Sequence, residues 1–325
     1  MIQTVLNRCL VASLPRLLGA NGKQRLSILI YHRVLPAYDY MRESEHTAEC
    51  FDWQMEFLSR HFSPLSLSDA LGLMDAGKLP QRAVCVTFDD GYADNALLAQ
   101  PILEKWRIPA TVFVSTKYID GGRMWNDSVL EALRRSRQTT MDLTSLGLGR
   151  LELNSEINRK ASAYQLIQRI KYLPLEERQR VVMLVEEQSE DLPENLMLTT
   201  EQLRAMQHSG IEIGGHTHSH PILASMADDD AREEIERGKQ VLEDALGKPV
   251  RFFAYPNGIP GKDYLPVHQK MVKEAGFEAA LTTQWGVSDI STDRWQLRRF
   301  TPWDKTQTKF ITRLLLNLGR RADYC

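Results

Sequence analysis

Seven short runs of apolar and β-branched residues recur along this 325-residue chain, separated by stretches with helical spacing. They are 27–32 (SILIYH), 83–88 (AVCVTF), 110–114 (ATVFV), 211–214, 252–255, 279–283 and 297–300. Runs this short and mostly apolar suit parallel strands covered on both faces. Parallel neighbours cannot be joined by a tight hairpin, so each connection must cross over, usually as a helix. Helices are expected over 51–61, 66–76, 95–106, 228–246 and 264–275. In 228–246, Ile235, Val241, Leu242 and Leu246 supply the apolar side and Glu233, Glu234, Glu236 and Lys239 the wet one. Gly247 and Pro249 then stop that helix. The alternation predicts an α/β fold, and seven strands suit a barrel-like closure better than an open sheet.

Residues 125–205 break the rhythm. They read as mostly helical, with Leu151–Leu153 as the one strand candidate. An insertion there accounts for most of the length beyond the roughly 250 residues of an ordinary barrel. The expected organisation is a basic N-terminal helix over 1–26, a barrel domain over 27–303 with the insertion at about 125–205, and a basic C-terminal helix over 304–325.

Composition removes several classes. The apolar content of 43% and a net charge of −2 exclude a disordered chain. The same near-zero charge, 40 basic against 42 acidic residues, speaks against a nucleic-acid partner. Four scattered cysteines, Cys9, Cys50, Cys85 and Cys325, do not make a disulfide scaffold. No run reaches the about 20 apolar residues that a membrane span needs. Arg8 and Arg16 interrupt the N-terminal apolar stretch, and no small-residue cleavage site follows, so a cleaved signal is not expected. These features suit the cytoplasm or the inner face of a membrane. Both ends are basic: Arg8, Arg16, Lys23 and Arg25 at one, Lys305, Lys309, Arg313, Arg320 and Arg321 at the other. With Val5, Leu10 and Leu14, or Phe310, Leu314, Leu315 and Leu318, they form either an amphipathic surface for anionic lipid or helices packed on the domain.

Three segments following strand candidates carry the chemistry. The first, Thr87-Phe88-Asp89-Asp90-Gly91-Tyr92, ends a strand in paired carboxylates. One Asp would read as a helix N-cap; two after a buried strand point to the C-terminal rim, where parallel α/β folds build their sites. The second, Gly214-Gly215-His216-Thr217-His218-Ser219-His220-Pro221, places three of the eight histidines within five residues. His216 and His220 are four apart, so one helical turn would aim both at one ion. Two imidazoles and one carboxylate suit a first-row divalent ion with open positions. The third, Arg251-Phe252-Phe253-Ala254-Tyr255-Pro256-Asn257-Gly258, ends a strand in a turn that either faces a substrate, with Tyr255 and Asn257 as candidates, or is simply a tight turn. Trp125, with Asn126 and Asp127, is a candidate sugar platform or else a buried ring at a helix start; Trp285 and Trp295 carry the same two readings.

In that order, TFDDGY, HTHSH followed by Pro, and FAYPNG resemble the polysaccharide deacetylase superfamily (carbohydrate esterase family 4, the NodB-like domain) over roughly residues 27–300. The resemblance implies a distorted (β/α)7 barrel similar to a TIM barrel. It implies one divalent metal, Zn²⁺ first and Co²⁺, Ni²⁺, Mn²⁺ or Fe²⁺ as alternatives. It also implies an N-acetylated saccharide as substrate, such as an envelope or extracellular polysaccharide or its precursor. Asp89 would be general base, Asp90, His216 and His220 metal ligands, and Asn257 a backbone oxyanion donor. His218 matches no family ligand. Two departures stand out. Ala254 holds a position where many members carry an Arg that orients the base, and Arg251 lies three residues earlier. No His follows His268, whereas many members carry a late acidic His. Tyr31-His32 resembles the poly-N-acetylglucosamine deacetylase branch, which makes His32 the candidate general acid and Arg299 the candidate partner of Asp89. An O-acetyl esterase is the nearest alternative. A silent glycan-binding protein is the other, motivated by the missing late His and opposed by Asp89.

Overall fold

The computed structural model describes residues 24–318. The first strand, β1 (Leu26–Tyr31), is followed by α1 (Ala48–His61), α2 (Leu67–Asp75) and β2 (Ala83–Phe88). A π-helical turn, Asn95–Ala99, runs into α3 (Gln100–Trp106), then β3 (Ala110–Val114). Next come α4 (Trp125–Arg135), β4 (Thr140–Leu143), β5 (Gly149–Glu152), α5 (Glu156–Ile170) and α6 (Leu175–Glu186). The chain returns through α7 (Thr200–His208) to β6 (Glu212–Gly215), α8 (Asp228–Leu246) and β7 (Phe252–Ala254). It ends with α9 (Pro266–Glu274), β8 (Ala279–Trp285), β9 (Leu297–Arg299) and α10 (Gln307–Leu318).

Seven strands pair in parallel in the order β1-β2-β3-β6-β7-β8-β9, with the two-residue strand Ser63–Pro64 beside β2. The circle nearly closes: the Phe300 N–H donates to Ile28 O at 2.7 Å and the Ile30 N–H to Phe300 O at 3.1 Å. This is the expected α/β barrel. β1 and β2 are buried at every position, as strands with helices outside and packed side chains inside must be.

The insertion departs from the sequence expectation in two ways. β4 and β5 form an antiparallel hairpin, Thr140 opposite Glu152 and Leu143 opposite Gly149. The strand candidate at Leu151–Leu153 overlaps β5, whereas β4, only four residues long, does not stand out from a helical background. The insertion also ends before α7, which packs on α8 and β6 as a barrel helix. Between β3 and α7 it builds its own apolar core, including Val129, Leu133, Met141, Leu151, Leu166, Val181 and Val185.

The expected helix over 1–26 lies, as far as residue 23, outside the described residues, and Leu26 already belongs to β1. At the other end, α10 buries Phe310, Ile311, Leu314, Leu315 and Leu318. Phe310 meets Trp53 edge-on at 5.4 Å. Among the described residues no helix is long and apolar enough to cross a membrane.

Candidate active site

Parallel register brings the strand ends to one rim. Tyr31 pairs with Phe88, so His32 follows β1 where Asp89 follows β2, and the Asp89 N–H donates to Tyr31 O at 2.9 Å. β6 then delivers His216, β7 the Pro256 turn, and β9 Arg299. Asp90 has φ +76° and Gly91 φ +85°, so the chain turns sharply and both carboxylates stay at the rim. A Cβ on Gly91 would lie 2.9 Å from Val114 Cγ1, which with the positive φ reserves the position for glycine.

Asp90 Oδ1 lies 3.4 Å from His216 Nε2 and 3.3 Å from His220 Nε2. The three ligand atoms all fall within 4.8 Å of one another. Atoms bound at about 2.1 Å to a tetrahedral ion lie roughly 3.4 Å apart, so the cluster has the right spacing. Asp90 Oδ1 is buried with no hydrogen-bond partner, as is His220 Nδ1. His216 Nδ1–H donates to Ala254 O at 2.6 Å, which leaves the Nε2 lone pair toward Asp90. Burial pushes the His220 imidazole down to about 3, so it is neutral at pH 7, as a ligand must be. Burial alone would raise the Asp90 carboxyl, but His216 and His220 outweigh it and hold the group low. Burial disfavours the His216 imidazolium, yet Asp89 and Asp90 together raise its pKa. The pocket thus attracts positive charge, which a divalent cation would supply in place of the proton. These residues fit a first-row divalent ion.

The two histidines do not share a helical turn. Residues 216–220 form a loop in which Thr217 (φ +63°) and His220 (φ +57°) are left-handed. Strain of that kind persists only where the surroundings over-determine it. Here Thr217 Oγ1 accepts the His220 N–H at 3.1 Å. The Glu234 carboxylate on α8 accepts the His218 and Ser219 N–H groups at 3.0 and 2.6 Å. A Cβ on Gly238 would lie 2.7 Å from the Thr217 carbonyl carbon, so α8 presses directly on the loop. The His218 Nδ1 pairs with Thr116 Oγ1 at 2.8 Å.

Asp89 is 2% exposed and Arg299 wholly buried. Arg299 Nη1 and Nη2 donate to the two Asp89 oxygens at 2.7 and 2.8 Å, and its Nε donates to Thr282 O at 2.9 Å. Burial opposes the Asp89 charge, but Arg299 and His216 outweigh it and hold the carboxyl below its ordinary value. Asp89 Oδ2 is 4.0 Å from His216 Nε2. Arg251, by contrast, is bound on the outside to Glu278 at 2.7 Å.

A cavity of about 540 Å³ opens over this floor, lined by Asp89, Asp90, His216, His220, His32 and Asn257 among others. The carbonyl of half-buried His32 accepts from Asn95 Nδ2 at 2.9 Å, so the π-helical turn pins its backbone. Asn257 is left-handed (φ +60°) and its carbonyl accepts from Thr283 Oγ1 at 2.6 Å. Two candidate substrate residues are not brought to the cavity, and Trp125 takes the second of its two readings, a buried ring at a helix start. Tyr255 is fully buried and stacks on Tyr264 at 3.7 Å, because the turn reverses above it and leaves the ring in the core. Trp125 points into the insertion's core beneath the Arg178 guanidinium, 4.7 Å away, while the next residues of α4, Asn126 and Asp127, line the cavity instead. Trp295 packs half-buried against the barrel. Trp285 and Trp303 line the cavity, their rings 5.5 Å apart. Trp303 escaped the sequence reading, although it lies four residues beyond Arg299, just past a strand end.

A family model described as polysaccharide deacetylase matches residues 76–280. The chain belongs to the polysaccharide deacetylase family. Members of this family (carbohydrate esterase family 4) are metal-dependent hydrolases of amide or ester bonds in acetylated glycans. The Bacillus subtilis protein YxkH is 20% identical over 277 residues, 85% of this chain and 70% of that one. A poly-β-1,6-N-acetyl-D-glucosamine N-deacetylase of Staphylococcus epidermidis is 34% identical over 88 residues, 26% of this chain and 29% of that one. Among solved structures, IcaB from Ammonifex degensii superimposes with TM-score 0.58 at 20% identity, covering 91% of this chain and 98% of that one. The Streptococcus pyogenes deacetylase PplD, solved with acetate, gives TM-score 0.56 at 20% identity, covering 85% and 92%. At such identities the structural likeness speaks to the fold.

Proposed function

We propose that the protein is a metal-dependent N-deacetylase that hydrolyses acetamido groups of an N-acetylated glycan and releases acetate. The observation that carries this reading is the adjacency of two carboxylates with different partners. Asp89 is ionised and clamped by Arg299, while the neighbouring Asp90 faces two imidazoles with an unsatisfied oxygen. An acid–base residue and an ion-binding residue side by side are what water attack on an amide requires.

A divalent ion held by Asp90, His216 and His220, Zn²⁺ by preference, would polarise the acetyl carbonyl and lower the pKa of water toward about 7. Asp89 accepts the proton of the attacking water, and Arg299 fixes which oxygens point into the cleft. The Asn257 N–H, which has no partner among the described residues, donates to the developing oxyanion. His32, on the same rim, gives a proton to the departing nitrogen. Four carboxylates (Glu45, Asp89, Asp90, Asp127) and two guanidiniums (Arg33, Arg42) line the cavity, an acidic excess that favours a bound cation.

The test is acetate release from N-acetylated and O-acetylated oligosaccharides after chelation and after restoring Zn²⁺ or Co²⁺. Release from the amides that chelation abolishes and metal restores is expected. Release from esters alone would replace the amidase with an esterase. Tight glycan binding without release from either class would favour a binding protein.

A further inference from the structure

The insertion gives the cavity a wall that the strand ends do not supply. Asn126, Asp127 and Leu130 of α4 and Tyr164 and Ile167 of α5 all line it. Asp127 is already engaged: Arg42 Nη2 donates to its Oδ1 at 2.7 Å and the Tyr92 hydroxyl to its Oδ2 at 2.8 Å. Asn126 differs. Its Oδ1 is buried and has no hydrogen-bond partner, although the residue sits on the cavity wall. Buried acceptors of this kind are rare unless water or a ligand supplies the donor. An amide side chain offers both a donor and an acceptor, which matches a pair of sugar hydroxyls or a second acetamide group. Tyr164 is 39% exposed, and its hydroxyl is fixed by donation to Met41 O at 3.2 Å, which holds the ring in place. A fixed, half-exposed aromatic ring is a ready surface for the C–H face of a pyranose.

We propose that Asn126 and Tyr164 form a subsite for a second sugar ring, next to the one being deacetylated. These two wall residues then set how strongly the cleft holds the neighbouring ring of an N-acetylated glycan. The inference rests on the deacetylase reading for its substrate class. It follows from placement: the reacting acetamide must reach the floor at Asp89 and Asp90, whereas these two residues stand on the inserted wall. The cavity has room for more than one ring.

The experiment titrates N-acetylglucosamine and its β-1,4- and β-1,6-linked trimers calorimetrically into the full chain, with acetate release measured on the same sugars. Wild type, Asn126→Ala, Tyr164→Ala and Tyr164→Phe are compared. Wild type is expected to bind a trimer about 10-fold more tightly than the monosaccharide. Each Ala variant should reduce that preference about 3- to 10-fold and raise KM for the trimer by a like factor, while Tyr164→Phe keeps most of it. A wild-type trimer affinity no better than that of the monosaccharide overturns the subsite. So does a chain-length preference that survives both Ala substitutions. Chain-length-dependent binding that the Ala variants lose, with no acetate released, overturns the deacetylase reading and upholds the subsite.

Discussion

At the floor of the cleft, Asp89 and Arg299 come from strands 210 residues apart and meet at 2.7 Å without water between them. On the wall, Arg42 and Asp127 are 85 residues apart and also meet at 2.7 Å, yet neither stands at a barrel strand end. The floor is positioned by backbone hydrogen bonds: parallel register decides which residues follow β1, β2, β6 and β9 to the rim. The wall is positioned by side chains. Arg42 bridges Asp127 and Glu131, Arg134 reaches Asp39 at 2.6 Å, and a separate apolar core holds α4, α5 and α6 together. A barrel scaffold can therefore keep its chemistry at the rim while a side-chain-built wall changes what the chemistry is applied to.

The strongest way to break this division is at the floor. Asp89→Asn should lower acetate release about 10²- to 10⁴-fold while the protein still binds one metal ion, because Asp90, His216 and His220 are untouched. Metal stoichiometry measured beside the rate checks both halves. Loss of the metal with the rate would place Asp89 among the ligands.

Arg299→Leu leaves the Asp89 carboxylate buried and unpaired. It should cost about 3–5 kcal/mol in denaturant unfolding, and the Asp89 charge should become harder to hold. A loss below about 1 kcal/mol would mean that water or another cation replaces the guanidinium.

The next effect belongs to the barrel beneath β1 and not to the wall. His46 meets Tyr31 edge-on at 5.3 Å, and burial, then Lys305, push its imidazole down to about 4 from 6.5. Between those values the unfolded chain binds the proton and the folded one does not. Stability therefore falls as pH drops from about 6.5 to about 4, by up to about 3 kcal/mol, and is unaffected by this group above that window. His46→Gln should flatten the slope of unfolding free energy against pH in that interval.

The smallest effect sharpens the comparison from the other side. Val185→Ala removes two methyl groups from the insertion's core and should cost about 1–2 kcal/mol. Metal affinity and kcat should stay at wild-type values. A fall in either would mean that the wall and the floor are mechanically coupled.

Much of the floor was legible in the sequence because strand ends are local events. A short apolar run followed by Asp-Asp-Gly or by Gly-Gly-His announces a rim position without any knowledge of its neighbours. Arg299 could be paired with Asp89 only because the resemblance implies a guanidinium on the base and Ala254 does not supply it. The geometry of the histidine loop was not legible, because left-handed Thr217 and His220 depend on Glu234 and Gly238 of α8 pressing from outside. Nor was the fate of Tyr255 and Trp125. Each lies beside a residue that faces the cavity, and a single step along a turn or helix decides between cleft and core.

The sequence by itself determined the seven strands of the barrel, the helical crossovers, the rim residues and an Asp-His-His set spaced for one ion, since these follow from short-range pattern and residue chemistry. Only the tertiary structure decided that the insertion forms a wall of the same cavity, that Asn126 stands on it with an unsatisfied oxygen, and that Trp285 and Trp303 belong to it. Those facts depend on long-range packing between side chains far apart in the chain, which local periodicity does not encode.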